Sequence, residues 1–347
     1  MFWAVDKIKV KNPKGLASNL DMYNEGQADI VGGLEITKEK YGEATEVTAD
    51  MPIEQGGVYF VSTNNVRLTY NLGTTGVDNL IIVPTTKDVT TINLVVSKQI
   101  YLKGMFACQN VTLLNQVPNA TSFHYPLRII AEQNINIVLD GCKVNGLVPT
   151  KGFAMKSSEV SAVSVDNFII HNSDINLAQS GAALYLLTQM SCKNISLDNN
   201  LIYASSLDGN VTEFKIFNGN GLTVETLNLT SNTLIDIESS GASLYGLVRA
   251  AKVLKATVKD NLYWLSDAAK AAYFFTGASS LVESLDSSDN FGYSVSDKPL
   301  RMFQNTAIDP DVKLVEGLFN TTDPATFNKS TGTFIPKEGY TQYGAQR

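Results

Sequence analysis

A segment of about 30 residues recurs through the middle of the chain, and this period restricts the fold more than any other feature of the sequence. Each copy runs apolar-x-apolar, reaches a polar turn and resumes with apolar residues. Examples are Phe168-Ile169-Ile170-His171-Asn172-Ser173-Asp174-Ile175, Ile195-Ser196-Leu197-Asp198-Asn199-Asn200-Leu201-Ile202 and Leu227-Asn228-Leu229-Thr230-Ser231-Asn232-Thr233-Leu234. Taking the turn residue as marker gives Cys142, Ser173, Asn200, Asn232, Asn261 and Asn290, with steps of 31, 27, 32, 29 and 29. Between the markers lies a second short strand, centred on Arg128, Met155, Tyr185, Lys215, Tyr245 and Phe274.

Two or three short strands per repeat, with no long stretch of helical period, exclude ankyrin and TPR units, which need two helices each. An antiparallel sandwich would place Asn-Gly or Asp-Gly hairpins every 8 to 12 residues or so. Asp140-Gly141, Asn145-Gly146, Asp208-Gly209 and Asn218-Gly219 do not alternate with paired strands in that way. The pattern fits an all-β chain folded as a right-handed single-stranded parallel β-helix. One coil exposes an apolar face and two unpaired edges, so it is stable only when stacked on neighbours about 4.8 Å away. Six or so coils would form a stack of roughly 30 Å. The marker Asn residues would form a ladder, since Asn tolerates a left-handed backbone at a bend and its amide can bond the same group one coil on.

The reading divides the chain into an N-terminal extension and cap (residues 1–75), coils (76–295) and a tail covering the solenoid end (296–347). Phe319, Phe327 and Phe334 would anchor the tail. Ser266 would cap a short helical turn before the last coil strand.

With 44% apolar residues, a chain of 347 can bury a sizeable core. Its 27 Lys+Arg against 34 Asp+Glu give a net charge of −7, which argues against nucleic-acid partners. No apolar run approaches the roughly 18 residues of a membrane helix, and the start lacks a basic region followed by an apolar one. The chain as given reads as soluble, with any secretion signal outside it. Cys108, Cys142 and Cys192 lack disulfide or zinc spacing and read as core residues. With only two histidines, His124 and His171, His-centred triads and multi-His metal sites are disfavoured. Both read as turn or surface residues. Seven Asn-x-Ser/Thr triplets read as strand and turn chemistry, and Asp198, Asp236, Glu238 and Asp260 do not form a known Ca²⁺ loop.

The Asn-marked coils, with the tail Thr322-Asp323-Pro324-Ala325-Thr326-Phe327-Asn328 through Gly332-Thr333-Phe334 to Gly344-Ala345-Gln346-Arg347, resemble the right-handed parallel β-helix surface proteins of Bacteroidetes. These are associated with polysaccharide utilisation and belong broadly to the pectate-lyase-like superfamily. The resemblance covers residues 80 to 347. It implies an extracellular or cell-surface setting, a polysaccharide partner and, in some members, a lipid anchor that this chain does not show. The expected state is a monomer.

Strand alternation makes a site prediction. With Leu184, Leu186, Phe214, Ile216 and Leu244 inside, Arg128, Met155, Tyr185, Lys215, Tyr245 and Phe274 point outward. The same parity exposes Ser157, Leu187, Glu213, Phe217, Ser243 and Arg249. Such an aromatic and basic stripe suits sugar rings, with Arg128, Tyr185, Glu213, Lys215, Phe217, Tyr245 and Arg249 as the carbohydrate-binding set. The function expected is non-catalytic glycan binding without a cofactor. Alternatives are a structural or adhesive surface protein and a lyase that cleaves a uronic-acid glycan. The lyase would need Ca²⁺ held by clustered carboxylates and a base, for which Lys215, Arg249, Arg128 and Lys156 are candidates. Glu213 stands alone in the stripe, which does not supply that cluster. Hydrolysis by the polygalacturonase pattern would need an Asp-Asp pair and Arg-x-Lys. The chain has no Asp-Asp, and Arg249 is followed by Ala250-Ala251-Lys252.

Overall fold

A computed structural model describes residues 18–117, 125–145, 153–176, 190–203, 217–235, 247–265, 272–294, 300–304, 312–320 and 335–346, with 217–222 described by backbone alone. The chain forms an all-β parallel solenoid of about seven turns, roughly 27 residues apart. Two parallel sheets run its length. Sheet I stacks strands from Ala44–Val47 to Leu300–Phe303, and sheet II from Met51–Ile53 to Val312–Leu314. Parallel pairing therefore starts at Ala44, ahead of the first coils read from sequence.

The period-2 pattern of the sheet I strands drives the interior. Ile137, Phe168, Ile195, Leu227 and Ala256 are register partners, as are Leu139, Ile170, Leu197, Leu229 and Val258. All are buried in one apolar cluster that runs from Val47 to Val312. Cys108, Cys142 and Cys192 are free thiols of this interior, as expected.

The six markers form the expected ladder, and each is no more than 1% exposed. The backbone N–H of each coil donates to the marker side chain of the next: Cys142 to Ser173 Oγ (3.0 Å), Ser173 to Asn200 Oδ1 (2.9 Å) and Asn200 to Asn232 Oδ1 (3.1 Å). Asn232 to Asn261 Oδ1 (3.0 Å) and Asn261 to Asn290 Oδ1 (3.4 Å) continue it. The left-handed bend, however, falls one residue before the marker. Gly141, Asn172, Asn199, Ser231, Asp260 and Asp289 have φ between 51° and 63°. The work is thus divided between two positions: one residue turns the backbone and the next supplies the internal amide.

The outward face of sheet I changes character along the axis. One outward column reads Val58, Ile81, Ala107, Val138 and Ile169, then Ser196, Asn228, Thr257 and Asp286. Residues 18–41 cover the apolar half. Their helix Asn19–Asn24 is closed by a capping box at Ser18, and Tyr23, Val31 and Ile36 bury against Val58, Phe60, Ile81, Val138 and Ile169. The hairpin turn is held where Gly32 N donates to Asp140 Oδ2 at 3.3 Å. A Cβ on Gly32, whose φ is +56°, would stand 2.5 Å from Val138 Cγ1.

The outer face of sheet II is covered in a similar way. Leu201, Tyr203, Ile235, Leu262, Trp264 and Phe291 cluster with Leu318, Phe319, Tyr340 and Tyr343. The last residues run back across the coils: Gly344 N bonds Asp260 O (2.7 Å), Ala345 N bonds Thr233 Oγ1 (2.9 Å) and Gln346 N bonds Asn199 Oδ1 (2.6 Å). Phe319 is buried as expected, while Phe327, Phe334 and the turn at Ser266 lie outside the described residues.

Candidate functional site

Of the carbohydrate-binding set read from sequence, Tyr185, Glu213, Lys215 and Tyr245 lie outside the described residues, as does His124. Arg128 does have outward parity, but its side chain is only 12% exposed. Its guanidinium lies 5.0 Å from the Tyr101 ring centroid and donates to Tyr101 Oη (3.0 Å) and twice to Ser157 Oγ (3.2 and 3.0 Å). Arg128 is therefore a packing residue, clasped between the coil before and the coil after.

Ser157, expected outside, is fully buried, with its hydroxyl beneath the Arg128 guanidinium that donates to it. Phe274, also expected outside, is 1% exposed and meets Tyr263 edge-on in the interior. Its alignment with Tyr245 and Lys215 was displaced: the backbone pairs Phe275 with Val248, and Val248 with Phe217. Met155 is half-buried against the core, and Lys156 Nζ is engaged with Val160 O at 2.5 Å. Arg249 is half-buried, in register with Asn218.

A different site stands out at the margin of the N-terminal cover. A groove of about 300 Å³ is lined by Lys40, Tyr41, Asp78, Asn79, Lys103, Gly104, Met105, Asn134, Asn136 and Asp166. Its floor is sheet I and one wall is the short helix Lys38–Tyr41. The half-exposed Tyr41 ring is fixed by a contact from its hydroxyl to Met105 Sδ at 2.9 Å, with Lys40 Nζ 5.0 Å from the ring centroid. Gly104 is required by a close crossing, since a Cβ there would meet Asp78 O at 2.5 Å.

From Asn136, which lines the groove, a second amide ladder runs on along sheet I. Asn167 Nδ2 donates to Asn136 Oδ1 (2.7 Å), and Asn194 Nδ2 to Asn167 Oδ1 (3.2 Å). The two lysine–aspartate pairs, Lys103–Asp78 at 3.6 Å and Lys193–Asp166 at 2.7 Å, balance one another in charge. The groove thus presents one aromatic face, a set of amide donors and acceptors and, beyond the two neutral pairs, the ammonium of Lys40, an arrangement suited to a polyhydroxyl ligand.

The groove's two carboxylates, Asp78 and Asp166, come from strands three rungs apart, about 14 Å in backbone spacing. Among the described residues no group of three His, Cys, Asp or Glu side chains converges as a cation site would need.

The second ladder leaves a signal in the sequence, outside the stripe. Asn136, Asn167 and Asn194 each stand six residues before a ladder marker. Tyr41 left none, because it reaches the groove through a tertiary contact.

The geometry defines a parallel β-solenoid with a polar lateral groove. In comparisons with protein-family models, curated proteins and solved structures, no match to this chain was found.

Proposed function

We propose that this protein is an extracellular or cell-surface carbohydrate-binding β-solenoid that holds a polysaccharide without cleaving its chain, acting as a monomer. The single observation that carries the reading is the groove beneath Tyr41. It joins a fixed aromatic face to the amides of Asn79, Asn134 and Asn136, and beyond it the ladder through Asn167 and Asn194 would offer further donors and acceptors at the rung spacing to an extended glycan. The face of a pyranose packs on the ring, and its hydroxyls replace water on Asn136, Lys40 and Asp166. The stripe read from the sequence, Tyr185, Glu213, Lys215, Phe217, Tyr245 and Arg249, is the alternative binding surface.

Affinity electrophoresis against neutral and uronic-acid polysaccharides tests the reading. Retention is expected for at least one glycan, and Tyr41→Ala or Asn136→Ala should weaken it about tenfold, a change equivalent to about 1.4 kcal/mol. Retention lost instead in Tyr185→Ala or Tyr245→Ala would move the site to the outer stripe. Absence of retention on every glycan would overturn the proposal.

A further inference from the structure

The outer face of sheet I carries a second arrangement, beyond the edge of the N-terminal cover. In the outward column, Ile169 is the last residue under the hairpin turn and Ser196 is its register partner on the next rung. His171 Nε2 lies 2.8 Å from Ser196 Oγ. When the imidazole proton is on Nδ1, Nε2 accepts from the hydroxyl, which is the relation of a base to its nucleophile.

The surrounding rungs supply what such a pair needs. Asp140 and Asp198 are the register partners of His171 on either side, about 4.8 Å away in backbone spacing. Both carboxylates are held in place. Asp140 Oδ1 accepts from Asn172 Nδ2 at 2.9 Å and its Oδ2 from Gly32 N, while Asp198 Oδ1 accepts from Thr230 Oγ1 at 2.5 Å. On the far side of Ser196, its register partner Asn228 places a side-chain amide one rung on. An amide beside a serine nucleophile can donate to the oxyanion of a tetrahedral intermediate.

We propose that Ser196, His171 and Asn228 form an esterase site for small acyl esters. Ser196 Oγ forms a bond to the acyl carbon as its proton passes to His171 Nε2, and Asn228 donates to the oxyanion. Collapse of the intermediate breaks the acyl carbon–oxygen bond, and the alcohol leaves with the proton from His171. Water then adds to the acyl-enzyme and gives a proton to His171, which returns it to Ser196 Oγ as the acid departs. The site is independent of the groove under Tyr41, so either can fail without the other.

The test is labelling of the full chain with an alkyl fluorophosphonate, read by intact mass and peptide mapping, together with hydrolysis of p-nitrophenyl acetate. One adduct per chain at Ser196 is expected, absent in Ser196→Ala and formed at least 100-fold more slowly in His171→Gln. Asn228→Ala should lower p-nitrophenyl acetate turnover about 100-fold with the melting temperature unchanged. No adduct at Ser196 in the folded wild-type protein overturns the proposal. So does p-nitrophenyl acetate hydrolysis that survives Ser196→Ala, or labelling at the same rate in a folded His171→Gln variant.

Discussion

Asn232 Nδ2 donates to Asn261 Oδ1, one coil on, at 3.0 Å, while Asn232 Oδ1 accepts from both the N–H and the Nδ2 of Asn200, one coil back, at 3.1 and 3.0 Å. Its second amide hydrogen closes on Leu197 O at 2.9 Å. A side chain 1% exposed thus meets its hydrogen-bonding needs from three residues on the two neighbouring coils, and none of its partners can turn to water instead.

Replacing Asn232 by Ala should therefore cost about 3–5 kcal/mol, since several buried groups lose a partner together, at roughly 1–3 kcal/mol each. Asn232→Asp should be no better, because its carboxylate would face Leu197 O and Asn261 Oδ1, both acceptors. Urea denaturation of the two variants checks both outcomes; a loss under 1 kcal/mol would show that the ladder contributes little.

Arg128 gives the opposite expectation to the one its sequence position suggests. Arg128→Ala removes donors from the fully buried Ser157 Oγ and uncovers Tyr101, so stability should fall by about 1–3 kcal/mol with glycan retention unchanged. Arg128→Lys should recover less than half, because an ammonium cannot stack on the ring and bridge both hydroxyls at once. Thermal melts paired with affinity electrophoresis separate the two effects.

At Gly32 a methyl group is enough to disturb the cover. Gly32→Ala combines a left-handed φ of +56° with a Cβ 2.5 Å from Val138 Cγ1. The expected result is a loss of about 1–3 kcal/mol, with residues 18–41 lifted from the sheet and cleaved first in limited proteolysis. Unchanged protease resistance would show that the hairpin accommodates the methyl group by a shift of its own.

The three buried thiols set an alkaline limit. Burial pushes Cys142 from its ordinary value of 9.0 up to about 12, and raises Cys108 and Cys192 as well. The native state then keeps protons that the unfolded chain releases, so their contribution to stability is complete below about pH 9 and is lost as pH rises toward 12. Tyr23 and Tyr70, each raised by burial to about 12 from 10.0, act in the same direction over the upper part of that window. Melting temperatures should fall between pH 9 and pH 11. At pH 8 a thiol reagent should label none of the three cysteines in the native protein and all three in urea.

What the sequence disclosed and what it concealed have separate physical origins. Cys142 to Asn290 could be read as a ladder because a buried amide and a left-handed bend admit few residue types, so the constraint reappears in every coil. The bend was placed one residue late, since Asn occupies both positions in Asn199-Asn200 and composition alone does not separate them. Outward residues such as Val138 and Ile169 reveal that something covers them, but not what does. Tyr41 joins the floor at Met105 only through the fold of residues 18–41, a contact with no sequence period. Phe274 was misassigned because coil lengths vary, and a displaced alignment turns interior into surface. Ser196 and His171 are 25 positions apart in sequence but diagonal neighbours on adjacent rungs, so only the register reveals the pair.

The ladder bonds span 31, 27, 32, 29 and 29 residues, yet their lengths stay between 2.9 and 3.4 Å. Coil length and coil geometry are therefore decoupled. Insertions or deletions of several residues between the corners leave the internal amides in place, whereas a single residue added between Ile195 and Asn200 would invert the strand and break the ladder there. A protein built this way can vary its connecting segments freely over evolutionary time while inheriting its corners unchanged, and new surfaces should arise in it by insertion sooner than by substitution.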